Sequence, residues 1–201
     1  EGRNILELNK HKMKKTRKEM SIIFQNPLGA FNPRRTIRQS LSLPFQVHSH
    51  LKKDEIDKTI LNLLKVVGID PPELYIDRYP HEFSGGQLQR IAVTRAIALH
   101  PKFVVADEPV SSLDLSLRGQ LLNIMKKLQK NFNIAYLLIT HDLSVLRSVS
   151  NRVAIMYLGK IVHPSATIPH LLNPLHPYTK MLLSSVPIPD PKRKRKRILL
   201  K

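Results

Sequence analysis

The sequence contains no cysteine, which excludes disulfide bonds, thiolate zinc sites and iron–sulfur clusters. It also has no apolar run that approaches the roughly twenty residues a membrane-spanning helix needs. The first residues, among them Glu1, Arg3 and Glu7, lack the apolar centre of a signal peptide. From these absences we expect a protein that folds in the reducing environment of the cytosol.

Acidic residues are scarce, because 15 Asp and Glu stand against 33 Lys and Arg, for a net charge of +18. A field of this sign attracts nucleic acid, anionic lipid or nucleotides before any fold is considered. Much of the excess lies in two runs, 10–18 and 192–197. Each run is either solvated surface, a contact to lipid head groups, or a nucleic-acid or localisation signal, so charge alone assigns no function.

Two glycines follow a serine at the predicted start of a helix. Ser84, Gly85 and Gly86 precede Gln87, and apolar residues then recur at helical spacing up to Leu99. The first N–H groups of a helix have no partner within it, and together with the helix dipole they suit a phosphate. Taken alone, the same residues are equally explained as a simple helix-start turn.

Two carboxylates follow an apolar run. The run 103–106 is continuous, which predicts a strand buried on both faces, and Asp107 and Glu108 come directly after it. Open α/β sheets bind their ligands at this carboxyl end of the strands. A carboxylate there can hold a metal through water or accept a proton, although solvated strand-end acids are the alternative. A second apolar run, 134–139, is followed in the same way by His141.

The order of apolar patterns predicts an α/β fold with a largely parallel sheet and helices packed on it. The segment 36–82 has helical periodicity and no strand pattern, with its clearest helix from Asp54 to Val67 and Gly68 as the residue that ends it. Near Gly159 a hairpin is predicted, and a short helix from Tyr178 to Val186.

The sequence resembles the nucleotide-binding subunit of ABC transporters. The resemblance rests on five features in the expected order, namely Gln25, Phe83–Gln87, Asp107 with Glu108, Ser112–Asp114 and His141. No single feature decides it, since each has a structural explanation, but the ordered set does.

Four longer segments are similar to the ATPase subunits of oligopeptide and dipeptide importers. They are Ile23–Pro27, Asn32–Arg34, Arg78–Gln87 and Asn173–Thr179. The resemblance implies a P-loop NTPase-like fold with an α-helical subdomain. It divides the chain into a partial α/β core with the Q-loop at 1–35, the helical subdomain at 36–82, the remaining ATPase core at 83–163 and an importer-type tail at 164–201.

The resemblance also implies a role for each matching residue. Gln25 would be the Q-loop glutamine, which touches Mg²⁺ and the attacking water. The residues Ser84, Gly85, Gly86 and Gln87 would be the signature motif, which binds the γ-phosphate of ATP held by the opposite subunit. Both ATP and Mg²⁺ are the implied cofactors.

The remaining matches belong to the catalytic side of the site. Asp107 would hold Mg²⁺ through water, and Glu108 would be the general base that polarises the hydrolytic water. Asp114 would lie in the D-loop between subunits, where it helps to bind nucleotide. His141 would donate to the γ-phosphate and orient the water.

One expected part is missing from the sequence. No Gly-x-x-x-x-Gly-Lys-Ser/Thr motif occurs among its seven glycines, and the adenine-stacking aromatic residue is absent too. Because the family places both before the first strand seen here, we expect an N-terminally truncated chain without the first strands and the P-loop. We also expect these 201 residues alone to bind ATP weakly or not at all.

The resemblance implies specific partners and a location. These are a second ABC ATPase subunit, two membrane permease subunits and, indirectly, an extracytoplasmic solute-binding protein, with the chain at the cytoplasmic face of the membrane and no nucleic acid expected. Two alternatives stay open: a soluble ABC-type ATPase that acts on nucleic acid, which the net charge of +18 would suit, and a non-catalytic remnant that packs against a partner.

Overall fold

The computed structural model describes residues 4–167 and 174–184. By its internal contacts the chain divides into two units, 1–139 and 140–201. This division falls after Ile139, and the four-part division given above stays a prediction. The predicted basic run 192–197 and the ends of two predicted segments, at 173 and at 185–186, lie outside the described residues.

The first unit alternates helices with parallel strands. Its elements are α1 (Lys10–Lys18), β1 (Met20–Ile23), α2 (Ile37–His48), α3 (Lys53–Val66), α4 (Gly85–Ile97), β2 (Phe103–Asp107), α5 (Leu115–Phe132) and β3 (Ala135–Ile139). Short 3-10 turns lie at Ile5–Glu7, Leu28–Ala30, Pro72–Leu74 and Pro80–Glu82. The strands form one parallel sheet, as the sequence predicts, and their order in it is β1-β2-β3.

The segment between β1 and α4 contains only helical elements. Thr36 caps α2 by accepting a hydrogen bond from the Gln39 amide at 3.3 Å. α3 ends one residue before the predicted position, and Gly68 follows with a φ of 80°, the left-handed conformation that glycine adopts without steric cost. Arg38 of α2 binds both Asp57 of α3, at 2.7 Å, and Asp77, at 2.7 Å, so one guanidinium joins three parts of this segment.

The prediction that the 103–106 strand is buried on both faces is wrong. Along β2, Val104 and Ala106 are fully buried whereas Val105 is only partly covered. The neighbours of Val105 across the sheet are Ile22, which is 40% exposed, and Leu137, which is 49% exposed. A run of consecutive apolar residues shows that both faces tolerate burial, but it does not show that both are covered.

The second unit contains α6 (Leu143–Val149), β4 (Arg152–Tyr157), β5 (Lys160–Thr167) and α7 (Pro177–Ser184). β4 and β5 form the predicted antiparallel hairpin, in which Leu158 and Gly159 both have positive φ, as a two-residue turn requires. Val153 and Ile155 form its buried core, against which side chains of α6, β5 and α7 pack.

Candidate nucleotide-hydrolysis site

The carboxyl ends of the parallel strands bring two of the predicted residues into contact. Gln25 follows the end of β1, and Glu108 follows the end of β2. The Gln25 Nε2 donates a hydrogen bond to the Glu108 Oε2 at 2.8 Å, across 83 residues of sequence. The predicted glutamine and the predicted general base therefore face each other at one edge of the sheet.

The backbone at Glu108 is unusual. Its φ is 42°, in the left-handed region that non-glycine residues rarely occupy. The conformation is held by hydrogen bonds on both sides, since the Glu108 N–H donates to the Ile139 carbonyl at 2.9 Å and its carbonyl accepts from Ser111 Oγ at 3.0 Å. Such strained backbone persists where the surrounding structure fixes it, and it is frequent at functional sites.

Asp107 is the last residue of β2 and lies opposite Ile139 of β3. Within the described ranges no group of three or more His, Cys, Asp or Glu side chains gathers in a way that could hold a metal by itself. Magnesium that accompanies a nucleotide needs less, because one or two carboxylates combine with phosphate oxygens and waters. Asp107, together with the amide oxygen of Gln25, fits that requirement.

The start of α4 forms the second cluster of predicted residues. Ser84 is its N-cap, with the Gln87 N–H donating to Ser84 Oγ at 3.3 Å and the Ser84 N–H donating to Gln87 Oε1 at 3.1 Å. Ser84 and Gln87 thereby satisfy each other, while the N–H groups of Gly85 and Gly86 belong to the first turn, which has no partner within the helix. The arrangement offers two backbone donors and the positive helix end to an anion.

Asp114 and His141 each lie at the start of a helix. Asp114 is the N-cap residue of α5 and is exposed to solvent. His141 precedes α6, whose N-cap Asp142 accepts from the Ser144 N–H at 2.9 Å. Since His141 belongs to the second unit and Glu108 to the first, their predicted cooperation stays a prediction.

Sequence reasoning missed two arginines that organise this region. Arg118 of α5 donates through Nε to the Leu113 carbonyl at 2.7 Å and so holds the segment that follows Glu108. Arg90 of α4 donates to Gln120 Oε1 at 2.6 Å and joins α4 to α5. Helical periodicity does not indicate the partner of either arginine side chain. The only signal in the sequence is that each arginine lies on a predicted helix close to a motif.

A family model described as ABC transporter matches residues 1–111, more than half of the chain. The chain belongs to the ABC transporter family. A second family model, described as the C-terminal region of oligopeptide/dipeptide transporters, matches residues 167–200. Both matches confirm the resemblance drawn from the motifs.

Curated relatives match over the whole of this chain. It is 46% identical over 203 residues to the oligopeptide transport ATP-binding protein AppF of Bacillus subtilis, covering 100% of this chain and 61% of AppF. It is also 46% identical over 200 residues to the glutathione import ATP-binding protein GsiA of Escherichia coli K12, covering 99% of this chain and 32% of GsiA. This chain therefore spans less than two thirds of either relative.

Solved structures of ATP-binding cassettes share the fold. CbiO1 of Clostridium perfringens, part of the ABC transporter complex cbiONQ, superposes with a TM-score of 0.70 at 26% sequence identity. The superposed region covers 82% of this chain and 63% of the CbiO1 chain. The cassette MJ0796, dimeric and bound to ADP and Pi in a post-hydrolysis state, gives a TM-score of 0.69 at 26% identity, with 81% and 68% covered. The predicted α/β ABC ATPase fold is thereby confirmed.

Proposed function

We propose that this chain is an energy-coupling ATPase subunit of an importer for oligopeptides or dipeptides. The observation that carries the proposal is the hydrogen bond of 2.8 Å between Gln25 and Glu108 at the carboxyl edge of a parallel sheet. The family match over residues 1–111 and the importer-type match over 167–200 support it. The relatives AppF and GsiA are named for oligopeptide transport and glutathione import, which favours short peptides as the solute class.

Glu108 is the proposed general base for the attacking water. The Gln25 amide donates a hydrogen bond to one carboxylate oxygen, Oε2, and thereby restrains the carboxylate that would accept the proton of the attacking water. The hydrogen bonds of the Glu108 backbone restrain this residue further. A base that is already positioned loses little conformational entropy when the reaction occurs. Bound Mg²⁺ would neutralise the charge on the phosphates, with Asp107 and the Gln25 amide oxygen as its proposed protein contacts.

The start of α4 is proposed to act on a second nucleotide. Ser84, Gly85, Gly86 and Gln87 would present backbone donors to the γ-phosphate of ATP on an opposite subunit. Asp114 is proposed to contact that subunit, and His141 to donate to the γ-phosphate. The 201 residues contain no Gly-x-x-x-x-Gly-Lys-Ser/Thr, the loop that binds the phosphates. In this proposal they supply the hydrolytic residues of one nucleotide site and the signature residues that contact the nucleotide of the other.

The proposed assembly follows from this division of the sites. It pairs the chain with a second ABC ATPase subunit and with two membrane permease subunits, and the chain lies at the cytoplasmic face of the membrane. An extracytoplasmic solute-binding protein interacts with it only indirectly. No helix in the described part of the chain is both long and apolar enough to cross a bilayer. In this proposal the permease subunits supply the membrane attachment.

The test is Glu108→Gln in an assembled transporter in which the site of this subunit also has a phosphate-binding loop, with Glu73→Gln as the control. General-base catalysis contributes about 10²–10⁴-fold, so we expect kcat for ATP hydrolysis to fall at least about a hundredfold with KM little changed. Glu73 forms an exposed ion pair with Lys65 at 3.7 Å, and its variant should hydrolyse ATP at the normal rate. Undiminished hydrolysis by Glu108→Gln would contradict the proposal.

A further inference from the structure

A cavity of about 290 Å³ lies in the first unit, away from the carboxyl edge of the sheet. It is partly open to solvent, since Val47 in its lining is 53% exposed, and it is bordered by the end of α1, the start of β1, and faces of α2 and α4. Gln25 follows the far end of β1, so at about 3.3 Å per strand residue the cavity and the hydrolysis site are roughly 15 Å apart. The cavity is therefore a separate feature.

The walls of the cavity are mostly apolar. Its apolar lining includes Met20, Leu43, Pro44, Val47, Ala96 and Leu99. Its volume lies at the lower limit of small-molecule pockets, which run from about 300 to 1,000 Å³. With about 30 Å³ for each water-sized group, it accommodates roughly ten heavy atoms.

The charged residues that line the cavity are all cationic. Arg17, Lys18 and Arg95 line it, and no Asp or Glu side chain does. Glu19, the acid next to Lys18 in the sequence, is 3.4 Å from the ammonium group of Lys102 and is not part of the lining. Three cationic residues and no acidic residue therefore line the cavity.

Arg95 is the most enclosed of these cations. Its Nη1 donates to the Ala30 carbonyl at 2.5 Å, and the guanidinium lies 4.3 Å from the centre of the Phe31 ring. Burial lowers the pKa of Arg95, as expected for a cation that has lost water. A guanidinium has five N–H donors, so donors beyond the one bound to Ala30 are available to an anion.

A buried hydroxyl also lines the cavity. Ser40 is only 3% exposed, and its Oγ has no hydrogen-bond partner among the described residues. Ser42, two residues along the same helix, is buried as well, but its Oγ donates to the Arg38 carbonyl at 2.7 Å. Since buried polar groups are nearly always paired, the Ser40 hydroxyl marks a place where a polar ligand atom would be stabilised.

His48 completes the lining without adding positive charge at neutral pH. Burial and the neighbouring charges of Lys14 and Lys18 hold its pKa below the usual value. The neutral ring can still donate one hydrogen bond and accept another.

We propose that this cavity binds a small amphiphilic anion, with its carboxylate or phosphate oxygens at Arg95, Arg17 and Lys18 and its apolar body against the α2 and α4 walls. The Ser40 hydroxyl donates to an oxygen of the same ligand. The site needs both parts of such a molecule, because the charged side alone is exposed to competing salt and the apolar walls alone do not select a charge.

Calorimetric titration of the full chain at low ionic strength tests the proposal with four probes. Sodium octanoate and hexyl phosphate carry both parts of the ligand, whereas 1-octanol lacks the charge and sodium acetate lacks the apolar body. We expect octanoate or hexyl phosphate to bind at least about tenfold more tightly than octanol, with acetate weaker still, and the tighter of the two anions identifies the oxyanion. Equal binding of octanol, or no binding of either amphiphilic anion, would overturn the proposal.

Matched variants locate the binding. Lys18→Ala should weaken octanoate or hexyl phosphate binding about fivefold, while Lys15→Ala removes the same charge from α1 outside the lining and should leave the affinity unchanged. Ser40→Ala should also weaken binding about fivefold without lowering the midpoint of unfolding, whereas Ser42→Ala should not affect binding. Equal effects within each pair would place the ligand elsewhere and refute the site.

Discussion

The two glycines at the start of α4 have different surroundings, and this difference can be tested. A Cβ built on Gly85 meets no atom within 4 Å, while a Cβ on Gly86 lies 3.1 Å from Leu117 Cδ1. Neither glycine has positive φ. Packing therefore explains why residue 86 is small, but it gives no reason for glycine at residue 85.

We predict that Gly85→Ala stabilises the chain. Alanine is favoured over glycine in a helix interior by roughly 0.5–1 kcal/mol; Gly85 is the first residue of α4, so we expect the lower end of this range, and no clash opposes the gain. With a urea m-value of about 2 kcal/mol/M, the midpoint of unfolding should rise by about 0.3 M. Gly86→Ala should be close to neutral, because Leu117 must shift by a few tenths of an ångström.

The same variant should impair the proposed function. If a phosphate approaches the N–H groups of this first turn, a methyl group at residue 85 occupies the space that the ligand needs, and we expect transporter ATPase activity to fall at least about tenfold. Gly119→Ala is the matched control, since Gly119 lies within α5 with nothing near its Cβ position, and it should stabilise the chain without loss of activity. Destabilisation by Gly85→Ala, or undiminished ATPase activity, would refute the reasoning.

Two further predictions concern stability. Gly68→Ala should lower the free energy of unfolding by about 1–2 kcal/mol in urea titrations, because the φ of 80° strains alanine and its Cβ would lie 2.7 Å from Arg90 Nη1; an unchanged midpoint would contradict this. The hydrogen bond from Arg38 holds the pKa of Asp77 below its usual value, so this stabilisation is complete above about pH 4 and is lost as pH falls through the folded-state pKa. Because Asp77 is exposed, Asp77→Asn should lower the free energy of unfolding by only about 0.2–1 kcal/mol at pH 7. When the free energy of unfolding is measured against pH, the variant should lack the loss of stability at acid pH that protonation of Asp77 causes.

Local patterns predicted most of the elements. The helix expected from Asp54 to Val67 is observed from Lys53 to Val66, and the glycine expected to end it has the left-handed φ that ends a helix. The hairpin expected near Gly159 is observed as the antiparallel pair β4 and β5. Such features depend on residues close in sequence, so periodicity and capping chemistry contain the needed information.

Contacts between distant residues were not predictable in the same way. The motif positions of Gln25 and Glu108 followed from the resemblance, but the left-handed backbone at Glu108 depends on a hydrogen bond from its N–H to the Ile139 carbonyl. The cavity near Arg95 likewise arises from four elements that meet only in the fold. The partial exposure of Leu137 could not be predicted either, because an apolar strand has the same sequence whether one face or two are covered.

The packing of α4 against α5 gives the residues of the two proposed nucleotide sites a physical connection within this subunit. Gly86 lies against Leu117, and one turn further along α4 the guanidinium of Arg90 binds Gln120 at 2.6 Å, so the first turns of the two helices are held side by side. α5 begins after Asp114, at the end of the segment that follows Glu108, the proposed general base. Packed helices move as units because their interiors resist compression. We therefore expect a phosphate bound at the start of α4 to act on the start of α5 through the contacts of Gly86 and Arg90.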